Sequence, residues 1–185
     1  KNAGIYELKF TNVLFIDNKA KYGGAISFQG AMKAVFIHVY AMRNTATSNG
    51  GSVYAIADQE KGGRPSLEVR HSTFLYNTAQ SGDGGGFFLS SVDLTLFNST
   101  ISHSSAKKSG GGLSLLSSIT NFKGTSLKYN EALTGNGGGL VSMASTVSMS
   151  AYSTLNSNVA ALNGGGIFAL VSPLLLEETT ISNNE

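Results

Sequence analysis

One set of marks recurs along the whole chain, and no other feature limits its fold as strongly. An apolar anchor stands at Phe15, Ala41, Phe74, Ile101, Leu127, Leu155 and Ile181, at spacings of 26, 33, 27, 26, 28 and 26. Three residues after each anchor come Asn18, Asn44, Asn77, Ser104, Asn130, Asn158 and Asn184. Five residues after come Ala20, Ala46, Ala79, Ala106, Ala132 and Ala160. A glycine pair then opens at Gly23, Gly50, Gly84, Gly110, Gly137 and Gly164. All markers agree on a period of 26 to 27 residues, broken once, between Ala57 and Pro65.

Each repeat contains about three short segments of alternating apolar and polar residues, punctuated by Gly, Asn and Ser. No longer window keeps a 3.6-residue apolar stripe, so helix is disfavoured. A single repeat cannot bury its own apolar side chains. Stacked ~4.8 Å apart as parallel strands, the copies bury one another's. The expected fold is therefore all-β, a single-stranded parallel β-helix of about seven coils, with right-handed winding as the default for parallel crossovers. The repeats fall at 1–30, 31–57, 66–91, 92–118, 119–145 and 146–172, with a partial one at 173–185 and a loop insertion at 58–65.

Composition agrees with a stacked chain. Glycine supplies 23 of 185 residues, nearly twice the usual ~7%. Charged residues are 13%, against a usual ~25%. The net charge of +2 is not gathered into basic clusters, so neither nucleic acid nor insertion into a membrane is expected. No apolar run reaches the ~20 residues that span a bilayer. There is no cysteine, which removes disulfides and thiolate metal sites. No cofactor is expected.

Repetition gives the recurring residues structural jobs. The anchors form an internal stack. Asn18, Asn44, Asn77, Asn130, Asn158 and Asn184 form an inside-corner ladder whose amides bond the turn backbone and each other. The alanine column is small because the chain turns there over a crowded interior. The glycine pair allows positive φ and close approach of coils.

Few residues are left over for chemistry. His38 and His71 each lie three residues before an anchor on consecutive coils. They stack in one column, with Asn12 below and Asn98 above. They read as a polar outer column beside a bend, or as a weak divalent-metal or glycan contact. Two histidines without a carboxylate are too few for a closed metal site. His103 lies out of that phase and is read as solvent-facing. The insertion carries Asp58, Glu60 and Arg64, and is either a neutral excursion or a recognition loop. No carboxylate pair falls in phase on adjacent coils, as glycoside hydrolysis requires, so the chain reads as no enzyme. Gly82–Gly86 matches no calcium nonapeptide, and no glycine run leads into Lys-Ser/Thr. Asn98-Ser99-Thr100 is the one glycosylation sequon.

The blocks Phe15-Ile16-Asp17-Asn18 with Gly23-Gly24-Ala25-Ile26, and similarly Phe74-Leu75-Tyr76-Asn77 and Gly50-Gly51-Ser52-Val53, resemble the paired Phe-x-x-Asn and Gly-Gly-Ala-apolar motifs of chlamydial polymorphic outer-membrane proteins. The resemblance implies an autotransporter-like β-helical passenger or stalk on a cell surface, associated with the outer membrane and serving adhesion or display. It brings no catalytic residues. The expected function is a non-catalytic surface or extracellular structural or adhesive module. The alternative is a carbohydrate-active β-helix, of polysaccharide-lyase or glycoside-hydrolase type, with its catalytic coils elsewhere. The chain starts inside a coil and stops on an anchor block, with no polar cap. Stacking of the ends on further coils or subunits, into a longer stalk or a filament, is expected. A protein or glycan would be the surface partner.

Overall fold

Each full turn of the chain is made of four strands. The computed structural model describes residues 6–58 and 63–185. The first turn holds β1 (Tyr6–Thr11), β2 (Leu14–Ile16), β3 (Lys19–Ala20) and β4 (Ile26–Gln29). Every later turn repeats them in parallel. Sheets one and two, begun by β1 and β2, have seven strands each; sheets three and four, begun by β3 and β4, have six. The molecule is thus a parallel β-solenoid of about six turns and the start of another. Among the described residues no helix is long and apolar enough to cross a membrane.

Register is kept position by position. Phe15, Ala41, Phe74, Ile101, Leu127, Leu155 and Ile181 are successive Cα partners in sheet two. The insertion does not disturb it: Lys33 pairs with Ser66, and Ser66 with Asp93. The structure adds a fourth strand to the three that alternation predicts. It is the two-residue strand of sheet three, such as Thr78–Ala79, too short to show a period of two.

Alternation sends one set of side chains inward. Phe36, Phe74, Phe87 and Phe122 are fully buried, each worth about 2–3 kcal/mol of apolar transfer. Phe74 meets Phe87 edge to face at 4.6 Å. Ala46, Ala79, Ala106 and Ala132 are buried as well. Burial of the core is least complete on the last turn, where Leu174, Leu176 and Ile181 continue inward columns yet are 38–45% exposed.

Core columns break the apolar rule at Thr120 in sheet one and at Ser142 in sheet four. Ala34, Leu67, Leu94, Thr120 and Val147 follow one another inward in sheet one. Thr120 is buried, and its Oγ1 finds no hydrogen-bond partner among the described residues. An unpaired buried hydroxyl costs about 1 kcal/mol or more. Thr120→Val keeps the shape and removes that cost. We expect it to raise unfolding stability by about 1 kcal/mol, measured by urea denaturation; a loss of that size would mean that the hydroxyl has a partner.

Candidate functional site

Three of the four corners place non-glycine residues in the left-handed region. Between sheets two and three these are Asp17, Arg43, Tyr76, His103, Tyr129, Ser157 and Asn183, with φ between 51° and 58°. Between sheets one and two stand Asn12, His38, His71 and Asn98, with φ from 44° to 56°. His38 and His71 are therefore where the spacing puts them, on consecutive turns, with ring centroids 5.5 Å apart. The next ring is not a histidine. Phe97, one residue before the corner, meets His71 edge to face at 5.4 Å. Among the described residues no three His, Cys, Asp or Glu gather as a metal cluster would require.

The asparagine ladder has the predicted chemistry. Asn44 Nδ2 donates to Asn77 Oδ1 at 3.0 Å and to the Phe15 carbonyl at 2.9 Å. Asn77 Oδ1 also accepts the Asn44 backbone N–H at 3.0 Å. Asn18 donates to Asn44 in the same way. Asn130, Asn158 and Asn184 repeat the pattern, with amide-to-amide distances of 3.0 Å. Each amide thus satisfies a buried corner and clamps the next turn to it. The run breaks at Ser104, whose hydroxyl reaches only its own turn, at the Ser102 carbonyl. Gly86 lies where the third glycine of later turns faces an asparagine amide, so it leaves room there. Ser104→Asn is expected to join the two halves and add about 1 kcal/mol, read as a higher urea midpoint. A lower midpoint would show that the site is too tight.

The other corners carry ladders that the sequence reading missed. Ser72, Ser99, Thr125 and Ser153 form one: the Val39 N–H donates to Ser72 Oγ at 2.9 Å and the Ser72 N–H to Ser99 Oγ at 3.1 Å. Ser118, Ser145 and Ser172 form a second. Asn49, Asp83, Ser109, Asn136 and Asn163 form a third before the glycines.

The insertion is tied to the solenoid. Arg64 Nε donates to Asp93 Oδ1 at 2.9 Å, one turn on, and Nη2 to the Ser117 carbonyl at 2.9 Å, a turn further. This geometry gives Arg64 a fastening role. Asp58 follows Ala57, whose N–H donates to the Ser90 carbonyl at 3.0 Å. Glu60, the third candidate, lies outside the described residues.

Outside the ladders, rings line two edges. His103 is exposed, as read, but it is not alone: it lies between Tyr76 and Tyr129 at 4.8 and 4.9 Å. All three stand two residues after an anchor, the offset that would have revealed the column. Stacking helps to offset the ~1–2 kcal/mol that a left-handed bulky residue costs. Below them Arg43 holds Asp17 through two bonds of 2.7 and 2.8 Å. That guanidinium keeps the Asp17 carboxyl below the usual range. Its stabilisation is present above the ordinary carboxylate pKa and lost as pH falls through the depressed value, and the pair's exposure to solvent makes it small. Tyr22, at the corner before sheet four, meets Tyr54 at a tilt at 4.8 Å, and Tyr54 stacks on Phe88 of the same sheet at 5.4 Å. Burial, with Tyr22 nearby, pushes the Tyr54 phenol up.

Together these features define a repeat protein of the parallel β-solenoid class, with polar ladders along its four corners and aromatic columns outside. The family model for the Chlamydia polymorphic membrane protein repeat matches residues 12–29, which run from the first anchor block through the first glycine block. The resemblance drawn from the motifs is thereby supported at Phe15-Ile16-Asp17-Asn18 and Gly23-Gly24-Ala25-Ile26. No curated protein matches the chain, and no solved structure does.

Proposed function

We propose that this chain is a non-catalytic surface or extracellular scaffold, adhesive through the side chains that its outer faces hold in line. The match to a membrane-protein repeat over residues 12–29 carries the surface assignment. The ladders favour a scaffold, because buried Asn44, Asn77, Asn130 and Asn158 serve coil-to-coil contact. Incubation with pectin, alginate and related polymers tests the non-catalytic half: no new chain ends are expected, and measurable cleavage overturns it. Beads coated with the chain test the adhesive half. They should attach to host-type cells above an albumin-coated control; equal attachment removes that role.

A further inference from the structure

The outer face of sheet one carries a depression of about 250 Å³ lined by Glu68, Arg70, Thr95, Phe97 and Lys123. Arg70, Phe97 and Lys123 occupy one position on three consecutive turns. Steps of ~4.8 Å therefore set a guanidinium on one side of the ring and an ammonium on the other. Glu68 and Thr95 are the next outward positions on the same strands. Arg70 Nε donates to Glu68, which leaves the outer guanidinium nitrogens without a further bond among the described residues. Lys123 pairs with no carboxylate among the described residues. Phe97 is 37% exposed, although His71 packs against it.

We propose that this depression binds a single carboxylated sugar ring, the uronic-acid unit of an acidic glycan. Three requirements meet here in a space below the ~300 Å³ at which pockets for larger ligands begin. Phe97 offers an apolar surface for the C–H side of a pyranose. Lys123 and the outer nitrogens of Arg70 offer charge-assisted bonds to its carboxylate. Glu68 accepts from sugar hydroxyls, and Thr95 both accepts and donates. A plain anion would leave Phe97 and Glu68 unused; a neutral sugar would leave Lys123 unpaired. His71 and His38 extend the surface at the corner, where their ring nitrogens meet an adjoining unit.

The site rests on the adhesive reading, since such a ligand would sit on a partner's surface. A purified ligand separates the two: its failure leaves cell attachment through other faces untouched. The experiment is saturation-transfer NMR on the whole chain with three probes: a glucuronic-acid disaccharide, its neutral glucose counterpart, and a tetraglutamate peptide. Transfer to the pyranose C–H protons of the first is expected at on the order of millimolar concentration. The neutral sugar should bind about tenfold more weakly. Lys123→Ala and Phe97→Ala, both outward-facing, should each weaken the acidic disaccharide similarly, with the circular dichroism spectrum unchanged, while Lys107→Ala should not. Absence of transfer, equal binding of the neutral sugar, indifference to Lys123→Ala, or equal binding of the peptide would each overturn the assignment.

Discussion

Gly111→Ala is expected to cost more than about 4 kcal/mol and to abolish cooperative unfolding. Gly111 does not need a left-handed backbone; its partner Gly110 does, with φ at +68°. The obstacle at Gly111 is contact. A Cβ there would run into the backbone of Glu131 and the Gly138 carbonyl on the following turn. These are main-chain atoms, so no rotamer change relieves the clash. The following turn is itself held at strand spacing by its neighbours. The same collision awaits a side chain at Gly24, Gly51, Gly85 and Gly138. Circular dichroism in urea should show a broad transition or an insoluble product. A sharp transition within about 1 kcal/mol of the parent would mean that the turns are farther apart than described.

Asn130→Ala should cost about 3 kcal/mol. Asn130 is fully buried. It accepts the Ser104 N–H at 3.0 Å, and its own amide donates to the Ile101 carbonyl and to Asn158 Oδ1, each at 3.0 Å. Alanine leaves the Ser104 N–H without its acceptor and opens a cavity. Asn130→Asp separates the acceptor role of the side chain from its donor role. It keeps an acceptor for Ser104, but its carboxylate faces the Ile101 and Asn158 oxygens. The ionised form is then disfavoured in the fold, so the folded-state pKa lies above the unfolded one. Ionisation therefore lowers the variant's stability as pH rises, and acid relieves it. Urea midpoints near neutrality and in mild acid should differ in that direction. A midpoint for Asn130→Asp that is flat with pH would show that the amide donates nothing essential.

What the sequence disclosed follows from what repetition measures. A shared position on every turn leaves a shared residue type, so the anchor, asparagine, alanine and glycine columns were readable before any coordinate. Solvent-facing columns leave no such trace. Arg70, Phe97 and Lys123 share a position but not a chemistry, and periodicity passes over them. The hydroxyl ladder at Ser72, Ser99, Thr125 and Ser153 stands two residues before the anchor, but Val39 holds the corresponding place on an early turn. Its job appears only once the backbone donor is seen opposite. Tyr76, His103 and Tyr129 were hidden for a related reason. The histidines invited comparison with one another, and His103 belongs to a different corner from His38 and His71.

The claim beneath all of this is that equal positions on neighbouring turns touch. The chain has no cysteine, so an introduced pair is unambiguous. Ser126 and Thr154 are Cα partners, and Thr154 Oγ1 donates to Ser126 Oγ at 2.9 Å. Thr100 lies one turn before Ser126 and two before Thr154. The measurement is the extent of intramolecular disulfide formation under mild oxidant in two double variants. Ser126→Cys with Thr154→Cys should close nearly completely, because one turn is within the ~4.4–6.8 Å that a disulfide spans between Cα atoms. Thr100→Cys with Thr154→Cys should stay reduced, since two turns are about 10 Å. Failure of the first pair, or equal closure of the second, would contradict the stack.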